Sequence, residues 1–297
     1  MTLLLGIRLI FSDEKGEMIL KKIGLLAGSL RTESYAKKVA RNLGLLASNQ
    51  ILMVPVNINH LPLFSDNLNK QEQQACQEFK NQIQEMDGFV VVTPEINRGI
   101  PGCLKNALDI ASVSYQGSLW QHKPVLIVSV STGKLGGVSA SQQLKQLALV
   151  LGMQPVQPTE IYISDVRTLF ADHDLLTDTS VLNFLQTAMN NLVAVVQTGN
   201  VTHLASNLTF QIMPDKILLM KDGQQVGQAT YQWSTQLLVV TGVTVEPGFK
   251  NEGFGLQIMV KIVMLSRLFG LSIVAGCPYT RHFFQQNPEL QKALCLN

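Results

Sequence analysis

The run Gly88-Phe89-Val90-Val91-Val92, followed by Thr93-Pro94-Glu95-Ile96-Asn97-Arg98-Gly99-Ile100-Pro101-Gly102, constrains this chain most. An unbroken apolar run has no wet face, so it reads as a strand buried on both sides within a parallel sheet. Parallel strands need crossover helices, and Cys103 to Val113 supplies one. A loop rich in Pro, Gly and Asn at the carboxyl end of such a strand is where open α/β sheets hold ligands. One segment therefore predicts a layered α/β fold and a binding site.

A second loop narrows the ligand. Lys21-Lys22-Ile23-Gly24-Leu25-Leu26-Ala27 reads as a strand, Gly28-Ser29-Leu30-Arg31-Thr32-Glu33-Ser34 as a turn, and Tyr35 to Leu46 as a helix. Backbone N–H groups at a helix start carry partial positive charge, and hydroxyls add donors, so the turn suits a phosphate. Arg31 adds a fixed charge with a planar fork. Neither a Walker sequence nor GxGxxG is present here, which argues against triphosphates and a standard dinucleotide fingerprint. The plain alternative is an ordinary strand–helix connection with Ser34 as N-cap.

Further elements alternate as α/β units do. Strands are predicted at Gln50–Val56, Pro124–Val130 and Ile161–Ile163, and helices at Gln71–Gln84, Val138–Leu151 and Asp174–Val196. The predicted fold is a doubly wound, five-stranded parallel sheet of order 2-1-3-4-5, with the site at the switch point between the first and third strands.

Gly28-Ser29-x-Arg31-x-x-Ser34 and Thr93-Pro94-Glu95-x-Asn97, continuing to Pro101-Gly102-x-Leu104-Lys105-Asn106-Ala107-x-Asp109, resemble the NADPH-dependent FMN reductase family, whose fold is flavodoxin-like. Ser131-Thr132-Gly133-Lys134-Leu135-Gly136-Gly137 matches a third family motif, and the likeness covers roughly residues 18 to 197. The resemblance implies FMN as cofactor and NAD(P)H as reductant. Ser29, Arg31 and Ser34 would hold the FMN phosphate. Pro94, Glu95, Ile96 and Asn97 would border the isoalloxazine, with Ser131, Gly133 and Gly136 closing the other side. The chain departs from the family at Ile96, where a Tyr is usual, and at Ala36, where Asn is frequent. The implied acceptor is a small molecule: a quinone, an azo compound, a metal ion or free flavin.

Near Gln197 the pattern changes. A polar linker over residues 198 to 204 precedes short strands at Leu208–Ile212, Lys216–Met220, Gln225–Gln232 and Gln236–Val243, with Asp222-Gly223 marking a hairpin. This predicts a separate α+β domain over residues 205 to 297. Val245-Glu246-Pro247-Gly248-Phe249-Lys250-Asn251-Glu252-Gly253-Phe254-Gly255 leads into a helix ending at Phe269, again aiming N–H groups at an anion. Lys250-x-x-Gly253-x-Gly255, with Cys277-Pro278-Tyr279 after the next strand, resembles the small GNAT-type N-acetyltransferases. That resemblance implies acetyl-CoA held by Val245, Phe249, Lys250, Gly253 and Gly255. It places Cys277 and Tyr279 near the acetyl group as candidate catalytic residues, Cys277 on condition of an exposed, activated thiol. Gly242-Val243 stands where a His-Thr pair is frequent, which bears on transfer more than on CoA binding.

Composition excludes several classes. At 297 residues the chain can bury two cores, and a net charge of +2 leaves no nucleic-acid footprint. Four scattered cysteines and five histidines form no metal-ligand spacing, and the cysteines no disulfide framework, so a reducing, cytoplasmic setting is expected. The apolar stretch Met1–Phe11 is too short to span a bilayer, and residues 1 to 17 read as an extension before Met18. No membrane or nucleic-acid partner is expected; a homodimer or homotetramer is what the resemblance implies. The competing reading is a flavin-binding redox sensor whose C-terminal module binds CoA or a partner without catalysis.

Overall fold

A computed structural model of the chain describes residues 21–114, 117–199, 208–287 and 290. The expected extension over residues 1 to 17, and all but two residues of the linker, lie outside them.

The first sheet has the order β2-β1-β3-β4, with β1 at Lys21–Ala27, β2 at Ile51–Val56, β3 at Gly88–Pro94 and β4 at Pro124–Val130, all parallel. The first six residues of β3 and all seven of β4 are buried, as their unbroken apolar runs demand. Pro55 lies on β2, the edge strand, where its missing N–H costs least. The fifth position departs from the expected single strand. Two short strands share the outer side of β4: β5 at Gln154–Pro155 and β6 at Tyr162–Ile163. Pairing with β4 continues to Val156, whose N–H donates to the Val125 carbonyl at 2.9 Å, and resumes where Ile161 accepts from the Ser129 N–H at 2.9 Å; Pro158, between them, has no N–H to donate.

The crossover helices are α1 (Tyr35–Leu46), α2 (Lys70–Gln84), α3 (Gly102–Ser112), α4 (Val138–Val150) and, closing the unit, α5 (Thr179–Thr198). Ala36, Val39, Ala40 and Leu43 give α1 its buried stripe. Asn69 and Glu72 cap α2 reciprocally, at 3.0 and 2.9 Å. At its other end Lys123 donates to the carbonyls of Ile83, Gln84 and Met86, at 2.7, 3.0 and 2.6 Å.

The second sheet runs β7 (Leu208–Ile212), β8 (Lys216–Lys221), β9 (Gln224–Trp233), β10 (Leu237–Val245) and β11 (Ser272–Ala275). Its pairs are antiparallel until β10 and β11, which are parallel and joined by helix α6 (Phe254–Phe269). The hairpin at Asp222-Gly223 has φ of 52° and 81°, the two positive angles of a type I′ turn. Helix α7 (Pro278–Gln286) follows β11.

One apolar cluster joins the α1 and α5 face of the first sheet to α6 and the second sheet; a separate cluster fills the α2 and α3 face. Helix α1 packs antiparallel on α6. The Arg41 guanidinium lies 5.0 Å from the Phe269 ring centre. A methyl group at Gly44 would come within 2.9 Å of Leu268, so glycine permits the close crossing. Lys261 donates to the carbonyls of Leu45 and Ala47, at 3.1 and 2.7 Å. Asn49 donates to the carbonyl and side chain of Gln257, at 2.9 and 2.8 Å. Going up α1 therefore means going down α6.

Candidate functional site

Three loops leave the carboxyl ends of the adjacent strands β1, β3 and β4. The first is pinned where Gly28 donates to the Val92 carbonyl at 2.8 Å, and a methyl group there would come within 2.9 Å of Leu104. Ser29 and Ser34 are buried. The Arg31 N–H donates to Ser29 Oγ at 3.3 Å, which folds the loop over the start of α1. Ser34 occupies the N-cap position, yet its side chain makes no capping bond, and the first turn of α1 holds no acidic residue. The helix end thus keeps its donors and its positive pole for an anion.

The second loop is a tight hairpin. Ile96 and Gly99 exchange two backbone bonds of 3.0 Å around Asn97 and Arg98, whose φ values are 49° and 65°. Helix α4 clamps it: Glu95 accepts from the Ala140 N–H at 3.1 Å, and Gln143 accepts from the Ile100 N–H at 2.7 Å. The Glu95 carboxylate is therefore occupied in holding the loop, assisted by Arg98 at 3.4 Å.

In the third loop Ser131 Oγ accepts from the Gly133 N–H at 3.0 Å, and Lys134 pairs with Asp165 at 2.8 Å. Gly136 has φ of 59°, and a methyl group there would lie 2.8 Å from Tyr162, so the turn admits only glycine. Each loop carries an exposed apolar side chain: Leu30 (50%), Ile96 (55%) and Leu135 (57%). Polar donors at one end and bare apolar surface beside it form an amphipathic binding floor.

The second sheet holds the other candidate site. A bulge at Thr241 interrupts β10 between Val240 and Gly242. Pairing with β11 covers only Leu237 to Val240, so the strands part there. Gly276 marks the parting: a methyl group on it would lie 2.7 Å from the Val240 carbonyl oxygen. Helix α6 starts at Gly253, with φ of 81°, no side-chain cap and no acidic residue in its first turn. Nothing lies within 4 Å of where a Gly253 side chain would start. Lys250 is exposed in the loop before it. Lys221 pairs with Glu252 at 3.1 Å and faces the rings of Phe249 and Phe254, at 5.7 and 5.2 Å.

The two candidate catalytic residues are placed differently from each other. Cys277 is buried; it is the N-cap of α7, accepting from the Thr280 N–H at 3.4 Å with the Thr280 hydroxyl at 3.0 Å. That corrects the condition of an exposed thiol, because the sulfur is committed to the helix end. Tyr279 is over one-third exposed, and its hydroxyl end lies directly over Gly255. Burial of part of the ring raises its phenol above the usual range. Gly255 is therefore needed by Tyr279 as much as by any ligand.

Sequence reasoning missed Lys261 and Arg41. Lys261 is wholly buried, and burial lowers its ammonium to about 7. The composition of α6 gives no hint of it, since the partner carbonyls lie more than two hundred residues away.

This architecture, an open sheet of order 2-1-3-4-5 with a phosphate-type turn after β1, defines a flavodoxin-like protein. Residues 21–167 match the family described as NADPH-dependent FMN reductase, and residues 216–293 match that described as GCN5-related N-acetyl-transferase. A quinone reductase of Pseudomonas putida is 38% identical over 176 residues, spanning 59% of this chain and 94% of that protein. A 2-hydroxy-1,4-benzoquinone reductase of a Burkholderia species is 34% identical, spanning 59% and 96%. FerB, a flavoenzyme NAD(P)H:(acceptor) oxidoreductase of Paracoccus denitrificans, superposes with a TM-score of 0.56 at 29% identity over 60% of this chain and 97% of that one. The chain belongs to the NADPH-dependent FMN reductase family and carries a GNAT-type domain fused behind it.

Proposed function

We propose that residues 18–197 form an FMN-dependent NAD(P)H oxidoreductase for a small quinone-type acceptor, joined through residues 198–204 to an acetyl-CoA-binding unit over residues 205–297. One observation carries the first half. Three adjacent strands end in loops that combine an uncapped, acid-free helix start with a rim of exposed apolar side chains. Such a floor suits a molecule with a phosphate at one end and a flat ring at the other. Ser29, Arg31 and Ser34 would hold the phosphate; Pro94, Glu95, Ile96, Asn97, Ser131, Gly133 and Gly136 would border the ring. When bound, FMN supplies hydride acceptance from NAD(P)H and electron delivery to the acceptor. The chain's share is orientation, charge stabilisation and exclusion of water, with no nucleophile required. The quinone relatives favour a quinone over azo, metal or free-flavin acceptors. The same resemblance supports a homodimer or homotetramer in the cytoplasm. Among the described residues no helix is long and apolar enough to cross a membrane.

For the C-terminal unit, the parted strands β10 and β11 and the open Gly253 support acetyl-CoA binding by Val245, Phe249, Lys250, Gly253 and Gly255. The buried Cys277 favours binding without a thiol intermediate, which leaves Tyr279 as the residue placed to take part in transfer. The purified protein's visible spectrum tests the flavin reading. Flavin bands that survive desalting after FMN loading, and that NADPH bleaches and benzoquinone restores, are the expected result. Absence of flavin uptake at stoichiometric loading would refute it.

A further inference from the structure

We infer that Trp233, on β9 of the second unit, is a positioning residue for the flavin site and acts through the strap of residues 165–177. Trp233 has this role only if the three loops hold FMN as proposed above, and it lies on none of them.

The strap follows β6 and starts at the rim of the site. The Ser131 N–H donates to the Ile163 carbonyl at 2.8 Å, and the Ser131 carbonyl accepts from the Val166 N–H at 3.1 Å. Lys134 pairs with Asp165 at 2.8 Å. The first residues of the strap are thus partners of the third loop, which would border the ring. Phe170 then stacks on Tyr35, with ring centres 6.0 Å apart and an interplanar angle of 20°. Tyr35 is the first residue of α1, directly after Ser34. One segment therefore braces both the third loop and the turn that opens α1.

The far part of the strap is a closed hairpin. The Ala171 N–H donates to the Leu175 carbonyl at 2.8 Å, and the Thr177 N–H to the Leu169 carbonyl at 3.2 Å. These bonds make a tip of Asp172, His173 and Asp174. His173 and Asp174 both have φ of 60°, a left-handed conformation that residues other than glycine keep only where their surroundings impose it. The constraint comes from two sides. On the side of α1, Lys38 and Arg41 pair with the Asp174 carboxylate at 2.6 and 3.2 Å. Asn42 donates to the Asp174 carbonyl at 2.8 Å and accepts from the Leu176 N–H at 2.9 Å. On the side of the second unit, the Trp233 ring meets the His173 ring, with centres 4.5 Å apart. Asp174 is held by the first unit itself, and His173 by the second.

Trp233 is itself fixed. Its ring contacts Tyr231 at 5.9 Å and Phe269 at 5.5 Å, and Phe269 faces the Arg41 guanidinium at 5.0 Å. The indole N–H is buried without an acceptor, so ring contacts rather than a hydrogen bond place this side chain. Loss of the indole would leave the His173 ring without its partner and let the strained tip relax. The slack would pass along one short segment to Phe170 and Val166, and so to the loops that border the flavin.

The test is a double-mutant cycle on the full chain, read by fluorescence titration of FMN and by the visible circular dichroism of the bound flavin. Trp233→Ala and His173→Asn should each weaken FMN by about 5-fold and alter the dichroism. Asparagine tolerates the left-handed backbone, so that variant removes the ring and keeps the turn. The double variant should bind no more weakly than either single variant, because one contact is lost only once. Trp233→Phe should restore most of the affinity and the original dichroism, since it keeps a ring and drops an unpaired N–H. Unchanged FMN affinity in His173→Asn overturns the inference. So do additive losses in the double variant, or a loss in Trp233→Phe as large as in Trp233→Ala. Should Trp233→Ala fail to fold, His173→Asn, on an exposed tip, carries the test with Trp233→Phe. No FMN uptake by the unsubstituted chain would defeat the flavin reading and this one together; uptake with equal affinity in the variants would defeat this one alone.

Discussion

Arg31 is the side chain on which the phosphate assignment can be tested most directly. It lies on a loop whose backbone is pinned by Gly28 and Ser29, so removing it changes charge more than shape. Arg31→Ala should weaken FMN by ~1.5–3 kcal/mol, the range for hydrogen bonds to charged groups. Fluorescence titration of FMN reads this; equal affinity would reject the assignment. Gly253 offers the matching test in the second unit. Its φ of 81° makes any branched residue strained, and the space before it is open. Gly253→Val should abolish CoA binding by calorimetry, whereas Gly253→Asn, which tolerates a left-handed backbone, should keep the fold and separate strain from obstruction. Equal CoA binding by Gly253→Val would sink the loop assignment.

Caps and clamps govern the elements. Helix α2 is bounded by the Asn69–Glu72 box at one end and by Lys123 on three carbonyls at the other. Asn69→Ala should lower unfolding stability by about 1 kcal/mol in urea, because the Glu72 backbone N–H loses its side-chain acceptor. A loss near zero would mean water replaces the cap at no cost. Helix α4 acts differently: through Glu95 and Gln143 it holds the hairpin after β3 rather than any ligand. The acid that the family motif brings to attention is thus a positioning residue for its own loop.

The two sheets share one of the molecule's two apolar clusters, with α1 and α6 laid antiparallel between them. The turn at the start of α1 and the turn at the start of α6 accordingly lie at opposite ends of the helix pair, separated by roughly the ~18 Å of a twelve-residue helix. Lys261 is the polar tie across that contact, capping the carboxyl end of α1. Burial lowers its folded-state value to about 7 from the ordinary 10.5. Between those two values the unfolded chain holds a proton that the folded chain has released. Stability should therefore rise as pH goes from about 7 toward 10, by at most ~1.4 kcal/mol per pH unit from this group. Lys123, lowered to about 8, adds a smaller rise above that pH. Urea denaturation at several pH values is the measurement; Lys261→Met should flatten the profile to the share of Lys123. An unchanged profile would mean that Lys261 stays charged throughout.

By itself the sequence determined the alternation of elements, the sheet order and the hairpin at Asp222-Gly223. Each of these rests on local patterning: unbroken apolar runs for buried strands, glycine where φ is positive, and Gly-rich turns before helices. Only the tertiary structure decided that Cys277 is spent on a cap, that Gly255 lies under Tyr279, and that Glu95 clamps a loop. It also decided the division of the fifth strand and the docking of α6 on α1 through Gly44 and Lys261. The physical reason is range. Backbone periodicity and turn chemistry act over a few residues and are written in the order of the chain, whereas a buried polar group is satisfied by whatever atoms folding brings to it.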